Sequence, residues 1–193
     1  MNARTALRLS EADYLAWEAT QEAKHELVDG VVCLMAGGTF AHFRLVGNLV
    51  TALNRRLRGG PCTAYPEGVK VKIPAGNVRY ADVLVQCGPH NLRDPITETP
   101  TVLVEITSPS TEWFDETDKL EEYKTVPSAR HVLLLSQRRA FGRLWSRAGP
   151  DEAWTAADLD GPEALLALDA LAVALPLAEV YDGVVFEDPG AER

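Results

Sequence analysis

Arg79-Tyr80-Ala81-Asp82-Val83-Leu84-Val85 and Thr101-Val102-Leu103-Val104-Glu105-Ile106-Thr107-Ser108-Pro109-Ser110 decide how this chain is read. Each contains an apolar run of strand length, and each run holds a single carboxylate. A helical stretch follows, in which Asp115, Lys119 and Tyr123 recur at four-residue steps. A buried charge is costly unless it is paired or bound to a metal. Asp82 and Glu105 therefore demand partners.

Strand alternation says which side chains share a face. Leu103, Glu105 and Thr107 point one way, and Val102, Val104 and Ile106 the other; Asp82 goes with Leu84 and Gln86. If the two strands are neighbours, Asp82 and Glu105 converge at one end of a sheet. Two carboxylates at ligand distance repel unless a cation lies between them, and oxygen-only ligands suit Mg²⁺ or Mn²⁺. Glu26 is a candidate third carboxylate, and Lys119 can orient a water or stabilise a phosphate oxygen. The plainer alternative leaves Asp82 in solvent at a strand entrance and pairs Lys119 with Asp115 on an exposed helix face.

Working outward, Ser10-Glu11-Ala12-Asp13 reads as a capping box opening a helix that buries Tyr14, Leu15 and Trp17 and runs towards Ala23. His25 to Met35 reads as a hairpin on an Asp29-Gly30 turn. A helix from about Thr39 to Leu57 carries Phe43, Val46, Val50, Leu53 and Leu57 as a core stripe. Its last turn gathers Arg55, Arg56 and Arg58, suited either to the helix macrodipole or to phosphate contact. His42, near its start, reads either as a general base or phosphate contact, or as a histidine packed on the hairpin.

Strands are expected over Cys62 to Ile73, Val78 to Cys87 and Thr101 to Thr107, with Gly88 to Pro100 a polar loop. A helix capped by Ser110 or Thr111 spans about Glu112 to Val126. Strands at His131–Leu135 and Arg143–Trp145 follow, joined through Gln137-Arg138-Arg139. Beyond Asp151 only Leu171–Leu175 and a short helix to Tyr181 stand out. The order describes a mixed α+β (α/β) domain with a central sheet, spanning residues 1–193 as one unit.

The net charge of -9 argues against a polyanionic partner, but 11 acidic residues against Arg193 alone lie in residues 151–193. The preceding 150 residues are nearly balanced, so nucleic acid stays open as a partner. Three scattered cysteines, Cys33, Cys62 and Cys87, suggest free thiols in strands or core and a reducing compartment. The start lacks a signal-peptide core and no apolar run approaches membrane-spanning length, so a cytoplasmic protein without a membrane partner is expected.

Glu-Leu-Val-Asp-Gly (26–30), His42, the Arg79–Val85 run, Val104-Glu-Ile-Thr-Ser-Pro-Ser-Thr (to 111), Asp115, Lys119 and Tyr123 together resemble the Uma-two family of proposed restriction endonucleases. That family belongs to the PD-(D/E)XK nuclease superfamily, and the resemblance covers about residues 10–182. It implies a restriction-endonuclease-like core, a mixed sheet flanked by helices, that cuts phosphodiesters in DNA with Mg²⁺ or Mn²⁺ and often acts as a homodimer. It places metal ligands at Asp82, Glu105 and the Ile106 carbonyl, with Glu26, Lys119, Tyr123 and His42 completing the catalytic set. The superfamily lysine two residues past the glutamate is Thr107 here, so Lys119 is its expected replacement. Ala81 stands where a proline is usual, and His131-Val-Leu-Leu-Leu-Ser136 departs from the usual Tyr-Trp-Leu-Val-Asp. A second reading is a nuclease-fold protein that binds or regulates without cutting, its acidic C-terminal segment covering a basic site.

Overall fold

The computed structural model describes residues 7–35, 37–107 and 117–186. Asp115 and the expected cap at Ser110 or Thr111 lie outside them. The capping-box helix forms as α1 (Glu11–Glu18), with the Ser10 hydroxyl accepting the Asp13 N–H. The hairpin is β1 (His25–Val28) and β2 (Val31–Leu34), closed by Asp29 and Gly30 at φ 49° and 76°. Two consecutive positive φ values match the right-handed strand twist, which is why Asp-Gly stands there.

Thr39 caps α2 (Phe40–Leu57). Its buried line is His42, Leu45, Val46, Leu49, Ala52, Leu53 and Leu57, rotated from the expected stripe, and Phe43 is 47% exposed. The expected stripe stepped along one edge of the apolar arc and missed its centre.

The next expected strand is two: β3 (Cys62–Pro66) and β4 (Lys70–Lys72), broken around Gly68 at φ 127°. Val78–Cys87 is likewise two, β5 (Val78–Tyr80) and β6 (Val83–Cys87), broken at Ala81-Asp82. The breaks coincide because both strands change sheets there. The loop that follows contains a short β7 (Ile96–Thr97), paired parallel with β4.

After β7 come β8 (Pro100–Thr107), α3 (Thr117–Thr125), β9 (His131–Ser136) and β10 (Phe141–Ser146). Then follow β11 (Thr155–Asp160), β12 (Leu165–Leu168), β13 (Val173–Pro176) and α4 (Leu177–Val180). The first sheet runs β2-β1-β5-β4-β7, the second β11-β10-β9-β8-β6-β3, and β12 pairs with β13. The second is mixed: β8 and β9 are parallel, as a crossover through α3 requires, and its other pairs are antiparallel. On one face Val83, Val85, Val102, Val104, Ile106, Leu133 and Leu135 pack under α2 and the β12–β13 hairpin. On the other, Leu84, Leu103, Val132 and Leu134 pack under Leu120 and Tyr123 of α3 and Val126 just beyond its end.

Cys62 and Cys87 are direct partners across β3 and β6 and form a disulfide, so the expectation of three free thiols is corrected. Only the register, 25 residues apart in sequence, brings them together. The cysteine count thus says nothing for a reducing compartment. Cys33 is free and exposed on β2. No helix among the described residues is long and apolar enough to cross a membrane.

Leu133 is buried at the centre of the larger sheet. Leu133→Ala is expected to lower the unfolding free energy by about 2–5 kcal/mol in urea titration; a change under about 0.5 kcal/mol would place the core elsewhere.

Candidate active site

The site forms where one pair of strands passes from the smaller sheet to the larger. Asp82 lies at that joint, and its Oδ2 accepts the Ile106 backbone N–H at 2.7 Å. In an extended strand the N–H and C=O of one residue leave by the same edge, so the Ile106 carbonyl also points towards β6. Val83 pairs with Val104, which makes β6 and β8 the expected neighbours.

Glu105 projects under α3, buried to 7% exposure. The Tyr123 hydroxyl donates to its Oε1 at 2.7 Å and the Lys119 ammonium to its Oε2 at 3.0 Å. The same ammonium donates to the Tyr80 carbonyl at 2.8 Å and meets Glu26 Oε1 at 3.1 Å. Three donors thereby find three acceptors, the full capacity of a lysine. Glu26 also accepts the Tyr80 N–H at 2.9 Å and contacts Arg79 at 3.1 Å. Arg79 forks onto both oxygens of Glu122 at 2.7 and 2.8 Å, and Asn77 adds a 2.9 Å bond to the same carboxylate. Residues 119, 122 and 123 thus clamp α3 over the joint.

Charges here are set by burial first. Burial pushes the Glu105 carboxyl up to about 8; Asp82 pushes the same way, while Lys119 and the Tyr123 hydroxyl oppose them. Burial works against the Lys119 cation too, but Glu105, Glu26 and Asp82 outweigh it, so its pKa rises and the ammonium persists. For Glu26 burial favours the acid, yet Lys119, the Tyr80 N–H and Arg79 prevail and lower it. Burial and then Glu105 hold Tyr123 well above its usual value, keeping it a hydrogen donor. Burial lowers His42, leaving a neutral imidazole at pH 7.

Of the residues singled out from sequence, Asp82, Glu105, Ile106, Glu26, Lys119, Tyr123 and His42 all meet at this joint. Lys119 reaches Glu105 from the helix, while Thr107 occupies the strand position two residues on. Lys119 makes buried contacts to Glu105 and Glu26; Asp115, its other expected partner, lies outside the described residues.

Sequence reasoning passed over Glu67, whose carboxylate lies with His42 and Asp82 so that one ligand atom of each is within 4.8 Å of the others. The signal was Pro66-Glu67-Gly68, a breaker cluster inside an apparent strand. Also missed was Glu18, 6% exposed, which accepts the Tyr80 hydroxyl at 2.8 Å and pairs with Lys70 at 2.6 Å. This second buried network anchors the residue whose backbone serves both Glu26 and Lys119.

A mixed sheet between helices, with carboxylates and a lysine at its strand break, defines a restriction-endonuclease-like fold. The family described as "Putative restriction endonuclease", Uma2, matches residues 11–178, and the chain belongs to it. The uncharacterized protein slr1290 of Synechocystis sp. is 30% identical over 181 residues, covering 93% of this chain and 94% of that one. A second Synechocystis protein, sll1609, is 26% identical over 160 residues, covering 81% and 90%. A crystal structure from Anabaena variabilis, described as "a putative nuclease belonging to DUF820", superposes with a TM-score of 0.75 at 14% identity, covering 92% of this chain and 99% of that one. It bears on the fold alone.

A carboxyl raised from 4.5 in the unfolded chain to about 8 in the fold stabilises the folded state fully below pH 4.5, and that stability drains away as pH rises to 8. Metal-free protein is therefore expected to lose stability relative to Glu105→Gln between about pH 5 and 8, measured by urea unfolding. A constant difference across that window would contradict the buried acid.

Proposed function

We propose that this protein is a Mg²⁺- or Mn²⁺-dependent endonuclease that hydrolyses phosphodiester bonds in DNA. The observation that carries the proposal is the convergence of Asp82, Glu105 and Lys119 at a strand break. The donor set suits a hard cation: the Asp82 charge is one of the forces raising Glu105, and a cation between the two would relieve that repulsion. Asp82, Glu105 and the Ile106 carbonyl are the proposed ligands. Such an ion, when bound, supplies Lewis acidity and a more acidic water.

Attack of water in line with the scissile bond forms a new P–O bond as the leaving P–O bond breaks, with negative charge growing on the phosphoryl oxygens. Lys119, held rigid by the Tyr80 carbonyl and two carboxylates, stabilises that growing charge through its own positive charge. Glu26 keeps Lys119 in place, and Tyr123 fixes the Glu105 rotamer. His42, neutral by burial, takes the proton of the attacking water or contacts phosphate. Cutting both strands of a duplex calls for two such sites, so a homodimer is the proposed assembly.

A second reading, binding without cutting, draws on the C-terminal segment. Glu179 pairs with Arg56, Asp182 with Arg44, Asp158 with Arg143 and Asp160 with Arg139. Acidic residues there neutralise arginines otherwise available to phosphates. The buried placement of Lys119 favours the nuclease reading.

Plasmid and single-stranded DNA incubated with Mg²⁺ or Mn²⁺ should be cut by the wild-type protein and left intact by Glu105→Ala. Lys119→Met should slow cutting about 10²–10³-fold. Cleavage that survives Glu105→Ala would reject this site, and no cleavage by wild type on either substrate would favour binding alone.

A further inference from the structure

Pro66 pairs with Val83 and Lys70 with Tyr80 across the crossing strands. Between these pairs Glu67, Gly68 and Val69 face only Ala81 and Asp82. The extra residue is taken up in a turn through Gly68 at φ 127°, a conformation that L side chains rarely adopt. This turn sets Glu67 beside Asp82.

From the other side, the first turn of α2 presents His42. The Thr39 hydroxyl accepts the His42 N–H at 3.1 Å and donates to the Gln137 side chain at 2.8 Å, fixing where that turn starts. Gly38 lies so close that a Cβ there would stand 2.7 Å from the imidazole. His42 is only 8% exposed, and the polar group that its ring meets is Asp82. Its Nε2 stands 3.5 Å from Asp82 Oδ1, longer than a hydrogen bond and aimed into the group it forms with Glu67. Lys119 and Tyr123, which occupy both oxygens of Glu105, make no contact with His42 or Glu67 of this kind.

We propose a second cation position, held by His42 Nε2, Glu67 and Asp82, with Asp82 shared between it and the Glu105 side. A nitrogen donor beside two carboxylates favours first-row transition ions such as Zn²⁺, Co²⁺ or, less strongly, Mn²⁺ over Mg²⁺, which keeps to oxygen. Glu67, the most exposed of the three, leaves the position open to solvent and substrate. The inference rests on the proposed role of Asp82, adds a ligand set that the Asp82–Glu105 pair lacks, and makes His42 Nε2 an ion ligand in place of a proton acceptor while that position is filled.

Titration of the metal-free full chain with Mn²⁺, counting free ion by EPR, is expected to give two bound ions per chain in wild type and one in Glu67→Gln. Pulsed EPR of the bound Mn²⁺ is expected to show coupling to an imidazole nitrogen that disappears in His42→Gln and in Glu67→Gln. Thermal unfolding identifies any variant that fails to fold, in which case the wild-type nitrogen coupling alone decides. One bound ion without nitrogen coupling, insensitive to Glu67→Gln but lost in Glu105→Gln, overturns the second position and leaves the proposed nuclease site standing. No Mn²⁺ binding in wild type overturns both.

Discussion

One antiparallel strand pair serves two sheets, and the site depends on where it crosses. β3 and β6 belong to the larger sheet, while their continuations β4 and β5 belong to the smaller. At the crossing the regular ladder lapses and backbone groups become available. The Tyr80 N–H goes to Glu26 and its carbonyl to Lys119, while the Ile106 N–H opposite goes to Asp82. An unbroken ladder would pair such groups within the sheet. The break converts them into the fixed partners of ionised side chains.

The buried charges are sustained because each is shared. Glu26 and Glu105 divide one ammonium between them, Glu26 and Glu122 divide one guanidinium, and Tyr123 takes the remaining oxygen of Glu105. Removing one member of such a network strands the others in a low-dielectric interior, at far greater cost than losing a surface pair. The same sharing leaves Glu105 poised, its burial and the nearby Asp82 pulling it towards the neutral acid while Lys119 pulls it towards the anion. An approaching cation adds to the second pull.

Much of this was legible from sequence because local rules govern it. Asp29-Gly30 dictates a hairpin turn, Ser10 caps the first helix, and the alternation of Leu103, Glu105 and Thr107 assigns Glu105 its face. The step from Lys119 to Tyr123 puts both on one helix stripe, and both reach Glu105. Other features turned on tertiary context. A period of two carries straight through Asp82, so the sheet change was invisible, and the Pro66-Glu67-Gly68 breaker was absorbed into a longer strand. Burial of Glu18 and the pairing of Cys62 with Cys87 arise only from contacts made across the fold. β11 buries only Leu159 and shows no apolar face, its register accompanied instead by Asp158 against Arg143 of β10 and Asp160 against Arg139 of the preceding turn.

If the strand crossing gathers Asp82 and Glu105 into a cation site, a bound ion must touch both. Crystals soaked in Mn²⁺ and measured for anomalous scattering test it directly. An anomalous peak is expected within bonding distance of carboxylate oxygens from both Asp82 and Glu105. A fully occupied peak elsewhere, or none at Mn²⁺ concentrations that support binding in solution, would contradict it.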